Sequence, residues 1–231
     1  IREVMASAGN ANLHTMEFLA RLLRVRQGMA HPQLYLDSEE KGEKWDTETA
    51  KMRWMFQEME KHPKEKSLIF AQFIGELDYC QKRLEEQGIP VFRIDGGVSQ
   101  QGRDHQVAQF REAAPGAVMV VQIKAGGVGL NLQEATRVYI TAPSWNPATE
   151  LQAIGRAHRT GQVQKVVVRK LIYNQKEGVY NSVEQSMMAL QGAKAVVSSE
   201  VLNDPRLAKA IPGAREASGI TIRNIRQIFS V

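Results

Sequence analysis

The sequence predicts an α/β fold, a parallel β-sheet covered by helices, with helical extensions before and after it. Three observations carry that expectation. From Lys66 onward, short apolar runs alternate with amphipathic stretches, the strand-helix-strand-helix order that builds a parallel sheet through crossover connections. The run AVMVVQI at 117–123 is largely apolar without alternation, which suits a central strand buried on both faces. A glycine-rich turn, residues 126–129, follows it directly.

Taken in order, residues 11–30 place Leu13, Met16, Leu19, Leu22 and Leu23 close to a 3.6-residue repeat, with Phe18 and Val25 beside that stripe. They read as a helix stopped by His31-Pro32. Residues 35–48 are polar and charged and read as a loop or linker, leading to a second helix at 49–61. Strands are expected at 67–73, 91–94, 117–123, 137–141 and 166–172. Helices are expected at 76–87, 100–112 and 147–158, the last with Pro147 acceptable in its first turn. A further helix fits 182–195, followed by a polar stretch with Gly and Pro at 204–219 and a short segment ending IRQIF at 225–229. The domain reading is a helical lead-in with a linker at 1–64, a sheet domain at 65–175 and a basic helical extension at 176–231. There is no internal repeat.

The composition, 43% hydrophobic and 24% charged, is that of a globular domain. Cys80 is the only cysteine and lies on the apolar face Leu77, Cys80, Leu84, so it reads as a packed thiol in a reducing, intracellular setting. No run approaches the ~18 apolar residues of a membrane span, so no membrane partner is expected. The start, without Met or signal-peptide layout, reads as a piece of something longer. The net charge of +5 is uneven: residues 1–162 hold 20 basic and 20 acidic side chains, residues 163–231 hold 10 and 5. That tail excess suits a polyanionic partner, and on charge alone a solvated basic face fits equally.

The chemistry concentrates in two strings. QAIGRAHRTGQ at 152–162 sets Arg156 and Arg159 three apart, with Gln152 a turn earlier, so a continuous helix aims two guanidiniums one way. A rigid, always-charged fork is the side chain best suited to the charge that spreads over a transferring phosphoryl group. From spacing alone, a basic helix end is an equal alternative. QIKAGGVGLNL at 122–132 follows the central strand. Its glycines permit close approach of a phosphate or ribose, and they also fit a plain tight turn. A dinucleotide fingerprint starting at Gly127 fails, because its third glycine falls on Leu132.

The first string resembles motif VI, and the second motif V, of superfamily-two helicases in their SWI/SNF-like branch. SLIFAQF at 67–73 is similar to motif IV and RIDGGVS at 93–99 to the segment after it. WNP at 145–147 resembles the tripeptide before motif VI, LLRVRQGMAHP at 22–32 the brace entering the second lobe, and 182–191 and 220–229 the terminal brace and segment. The resemblance spans nearly the whole chain. It departs at Gly97 and Val98, where the family usually carries small hydroxyls, at Ala71, where Ser is common, and at Ser144, where a first Trp is common.

The resemblance implies a three-layer RecA-like fold of the P-loop NTPase type, the second motor lobe of an ATP-dependent double-stranded DNA translocase, akin to chromatin remodellers and DNA repair motors. It implies Arg156 and Arg159 as catalytic fingers and Gln152, Gly127, Gly129 and Asn131 as nucleotide contacts. Gln72, Ser99 and Lys124 fall to the DNA backbone, Trp145 to coupling, and His158 to structure. The implied cofactor is ATP with Mg²⁺. This chain has no GxxxxGK[ST] loop and no Asp-Glu pair, so the triphosphate cradle and Mg²⁺ ligands belong to an upstream RecA-like lobe, and the chain alone is expected not to hydrolyse ATP. Further implied are a DNA-associated intracellular location, nuclear in a eukaryote and otherwise cytoplasmic, nucleoid or viral, and a nucleosome or other DNA-bound protein as partner. The alternatives are an RNA helicase lobe, which the GGVGLN turn and His158 argue against, and a non-catalytic binding module.

Overall fold

The computed structural model describes residues 13–125, 129–174 and 182–201. In chain order the elements are α1 (Leu13–Ala30), α2 (Pro32–Ser38), α3 (Ala50–Glu60), β1 (Ser67–Ala71), α4 (Ile74–Glu85), β2 (Val91–Ile94), α5 (Gln100–Glu112), β3 (Val118–Gln122), β4 (Arg137–Ile140), α6 (Pro147–Ile154), β5 (Val167–Lys170) and α7 (Val183–Val201). Two compact units result: residues 48–172, and the chain before and after them.

The unit 48–172 is built on a five-stranded parallel sheet in the order β2-β3-β1-β4-β5. Ser67 at the start of β1 pairs with Val118 on one side and Arg137 on the other, so the three central strands run level. Strand side chains alternate between faces, and both faces are apolar here. Leu68, Phe70, Met119, Val121, Val138 and Ile140 pack with Phe110 of α5 and Ala153 of α6. Ile69, Val118, Val120 and Tyr139 pack on the other face with Met52, Met55 and Phe56 of α3 and Leu77, Cys80 and Leu84 of α4. Helices therefore cover both faces, the three-layer α/β arrangement that the sequence predicts. Each fully buried large side chain contributes about 1.5–3 kcal/mol, so the double-sided core dominates the stability of this unit.

Cys80 is fully buried, its sulfur 3.8 Å from Met52 Sδ, and burial pushes its pKa up. It is packing, not a nucleophile. α3 starts where Thr49 Oγ1 accepts the Met52 amide at 3.3 Å. A cavity of about 400 Å³, with Phe56, Leu84, Ile89, Pro90 and Pro115 in its wall, opens at the edge where the strands begin. It lies away from the strand ends that carry the sequence motifs.

In the other unit, α1 ends at Ala30 as expected, with Leu22 buried and Leu19 and Leu23 exposed. The reading of 35–48 as loop needs correction at its start, where α2 continues to Ser38. His31 explains it: its Nδ1 accepts the Gln33 amide at 3.2 Å, and Pro32 fits a first helical turn, so the dipeptide that stops α1 also starts α2. Burial lowers the His31 pKa against the opposing pull of Asp37, which keeps the imidazole an acceptor. Gln33 Oε1 then accepts the Trp45 amide at 2.6 Å and holds the stretch that follows. α7 outruns the expected end at 195 and reaches Val201. The readings at 204–219 and 225–229 lie outside the described residues. No described helix is long and apolar enough to cross a membrane.

The expected helix 147–158 is shorter. α6 ends at Ile154 with Gly155 as its cap. The next amides close tighter, three-residue turns, Arg156 to the Ala153 carbonyl (3.1 Å) and Ala157 to Ile154 (3.1 Å), before His158 returns to the Ile154 carbonyl at 3.0 Å. Arg156 therefore stands in a tight turn and Arg159 beyond it, so the two do not share a helical face.

Candidate functional site

Parallel strands deliver all their carboxyl ends to one edge of the sheet. The chain leaves β1 toward one side for β2 and β3 and crosses to the other for β4 and β5, and ligands of open α/β sheets gather where that direction switches. Gln72 follows β1, residues 95–99 follow β2, Lys124 follows β3 and Trp145 follows β4, so this edge collects the sequence motifs.

The loop 95–99 is held from three sides. Asp95 Oδ1 accepts the Gly97 amide at 2.8 Å, and Asp95 Oδ2 takes Arg93 Nε at 2.7 Å. Burial alone raises the Asp95 pKa, but these bonds outweigh it and hold the carboxyl below its usual range. Arg103 reaches back from α5 to the Val98 carbonyl (3.0 Å) and the Asp95 carbonyl (3.3 Å). A Cβ on Gly97 would stand 3.3 Å from Asp95 Oδ1, so the residue that departs from the usual hydroxyl serves a tight loop. Ser99 is exposed and caps α5, its Oγ accepting the Gly102 amide at 3.1 Å. Its hydroxyl hydrogen remains a donor.

The segment after β3 connects two places. At one end, Gln122 Oε1 accepts the Gly96 amide at 3.0 Å, joining it to the 95–99 loop. Lys124, next but one, is exposed. Gly129 adopts φ +54, the left-handed region that favours glycine, and faces open space. At the other end the Leu132 amide donates to the Arg156 carbonyl at 3.0 Å. Gln133 Nε2 donates to the Thr160 carbonyl and Gln162 Nε2 to the Gln133 carbonyl, both at 2.7 Å. Segment 131–133 is thereby clamped to the turns that carry both arginines. Asn131 Oδ1 beside this clamp is buried and has no hydrogen-bond partner among the described residues. Gly127 lies outside the described residues.

Arg156 is half-buried with further contacts, whereas Arg159 is exposed and its side chain pairs with no described residue. Gln152 is exposed on α6. Trp145 is 39% exposed, which argues against a purely packed role. The structure thus joins Asn131 to the Arg156 turn, joins the loop of Ser99 to the segment of Lys124, and places the two arginines on turns rather than on one helical face. Among the described residues, no cluster of three or more His, Cys, Asp or Glu is arranged to hold a metal ion.

Sequence reasoning missed the buried polar residues behind this edge. Glu76 is fully buried in the first turn of α4; its Oε2 accepts the amides of Gln72 (3.1 Å) and Phe73 (3.0 Å) and its Oε1 the Thr141 hydroxyl at 2.7 Å. Burial pushes the Glu76 pKa up, against the Thr141 hydroxyl, the two amides and Lys51. Lys51 Nζ donates to the Thr141 carbonyl at 3.0 Å. On α6, Glu150 accepts the Ser144 amide at 2.5 Å and forms an ion pair with Lys170. One signal was present: Glu76, Cys80 and Leu84 are spaced four apart, which puts a carboxylate on the apolar stripe.

Comparison with known proteins supplies the family. Residues 50–161 match the helicase conserved C-terminal domain. Helicase-like transcription factor of Homo sapiens is 33% identical over 205 residues, 86% of this chain and 19% of that protein. DNA repair protein RAD5B of Arabidopsis thaliana is 38% identical over 146 residues, 63% of this chain and 11% of that protein. The crystal structure of the C-terminal part of the Fun30 ATPase domain aligns with a TM-score of 0.57 at 25% identity, covering 80% of this chain and 59% of that one. The chain spans less than a fifth of the length of these two curated relatives.

Proposed function

The chain belongs to the helicase conserved C-terminal domain family, as a RecA-like lobe of its SWI/SNF-type branch, and from that premise we propose that it is the second motor lobe of an ATP-dependent double-stranded DNA translocase. Arg156 and Arg159 are its arginines for the transferring phosphoryl group. Gln72, Ser99 and Lys124 meet the DNA backbone, and Trp145 lies between the two functions.

The observation that carries the reading is the segment after β3. One end is bonded to the 95–99 loop through Gln122 and Gly96, and the other to the arginine turns through Leu132 and Arg156. A backbone contact at Lys124 and a nucleotide contact at Asn131 would then each lie next to a braced stretch of chain.

The residues fit a nucleoside triphosphate. The bare Asn131 Oδ1 is an acceptor that a ribose hydroxyl or base amine satisfies; leaving it bare costs about 1–3 kcal/mol. Gly129 leaves room beside it, and Gln152 offers an amide from α6. ATP supplies the phosphoryl group, and Mg²⁺ is held by the upstream RecA-like lobe, which completes the site. Phosphate contacts carry no sequence information, so DNA is bound regardless of sequence and with steep salt dependence. The protein acts inside the cell wherever its DNA is, and a DNA-bound protein such as a nucleosome is the load it moves.

The test is ATP hydrolysis by this chain joined to its native upstream lobe, measured without nucleic acid, with duplex DNA and with RNA. Strong stimulation by duplex DNA is expected. Stimulation by RNA alone would replace the reading with an RNA helicase lobe, and no hydrolysis in any arm with a non-catalytic binding module.

A further inference from the structure

Thr141 to Ser144, the segment that leaves β4 and leads to Trp145, is gripped at both ends by buried carboxylates from different helices. Glu76 of α4 takes the Thr141 hydroxyl at 2.7 Å, and Glu150 of α6 takes the Ser144 amide at 2.5 Å. Lys51 of α3 adds a third hold through the Thr141 carbonyl at 3.0 Å. Both carboxylates are nearly inaccessible, at 0% and 3% exposure. Such groups are costly to bury, so they persist only where their hydrogen bonds are met.

Glu76 does more than grip. Its other oxygen takes the amides of Gln72 and Phe73 as the chain leaves β1. β1 and β4 are neighbouring strands, with Phe70 level with Ile140, so their exits lie side by side and this one carboxylate spans them. Among the described residues, the Thr141 hydroxyl is the side-chain hydrogen bond that ties it to the β4 exit.

We propose that Glu76 and Thr141 are positioning residues that lock the exit of β1, with Gln72 on it, to the exit of β4, with Trp145 on it, so that DNA contact at one is registered by the other. This rests on the translocase reading, which puts Gln72 at the DNA backbone and Trp145 between DNA and nucleotide. Glu150 extends the lock, because α6 begins just after Trp145 and ends beside the turn of Arg156.

Thr141→Val tests it with the least disturbance, since it keeps the side-chain shape and removes only the hydroxyl. Glu76→Gln is the conservative partner: its amide oxygen still accepts the two amides, and its amide nitrogen donates to the Thr141 oxygen. Both are made in this chain joined to its upstream lobe, and the duplex concentration for half-maximal ATPase stimulation is measured beside the KM for ATP.

Thr141→Val is expected to raise the half-stimulating duplex concentration about tenfold and leave the KM for ATP within twofold, while Glu76→Gln stays within threefold of the parent on both. The same Thr141→Val change on a Gln72→Ala background should add little, because its effect runs through Gln72. An unchanged Thr141→Val, or one that raises both constants equally, overturns the inference alone. A parent protein indifferent to duplex DNA overturns the translocase reading and this inference with it.

Discussion

Arg159→Ala separates stability from chemistry more sharply than any other change at this site. The side chain is exposed and pairs with no described residue, so its removal should move folding stability by no more than about 0.5 kcal/mol. As an arginine finger it is worth about 10³ to 10⁵ in rate, or roughly 4–7 kcal/mol of barrier at 1.36 kcal/mol per decade. Arg156→Ala should look different. That side chain is half-buried with other contacts, so its loss should reduce turnover and also lower stability by about 1 kcal/mol. The assay pairs thermal unfolding with turnover at saturating ATP and duplex DNA, using this chain joined to its upstream lobe. Arg159→Ala should unfold like the parent and turn over at least a thousandfold more slowly, with duplex affinity retained. Turnover within tenfold of the parent would refute the finger assignment. A large drop in unfolding temperature would refute the claim that Arg159 has no structural role.

Lys124→Ala should weaken binding to duplexes of different sequence about equally and lower the slope of log affinity against log salt by about 1; a sequence-selective loss in a fluorescence titration would rule out a phosphate contact. Gly116→Ala should destabilise the sheet unit by about 2–4 kcal/mol, because Gly116 adopts φ +85 and a Cβ there would stand 2.3 Å from the Pro63 carbonyl oxygen. An unfolding temperature within 3 °C of the parent, against the roughly 5–15 °C drop that such a loss implies, would refute that close approach.

The sheet was legible because its signals are local. A central strand such as β3 is a continuous apolar run, and Ser99 before Gln100 or Thr49 before Ala50 is a capping residue at the head of an amphipathic stretch, so five strands and most helices lie where the periodicity puts them. α2 is illegible for a local reason of its own: Pro32 reads as a stop, although a proline preceded by a capping side chain is equally a start. The end of α6 was misread because Gly155 is embedded in a favourable helical pattern. Nothing in the spacing shows that the turn tightens after Ile154, and that tightening takes the two arginines off a common helical face.

The candidate site was legible as strings and illegible as a mechanism. The motif strings point to Arg156 as the type of group a phosphate attracts and, through the resemblance, to Asn131 and Lys124, but they do not say what holds those groups still. That task falls to bonds between residues far apart in the chain, Thr141 to Glu76 across 65 positions and Gly96 to Gln122 across 26. Such pairs form only once β1 has been flanked by β3 and β4. A residue that braces a site obeys the rules of burial rather than those of the ligand. Glu76 belongs to that class: a carboxylate on an apolar stripe is unfavourable there unless something across the sheet donates to it, and the donor stands at the exit of the neighbouring strand. A charged residue at a core position is therefore a pointer to the segments it holds together, and it shows in a sequence as soon as one asks which partner would make its burial tolerable.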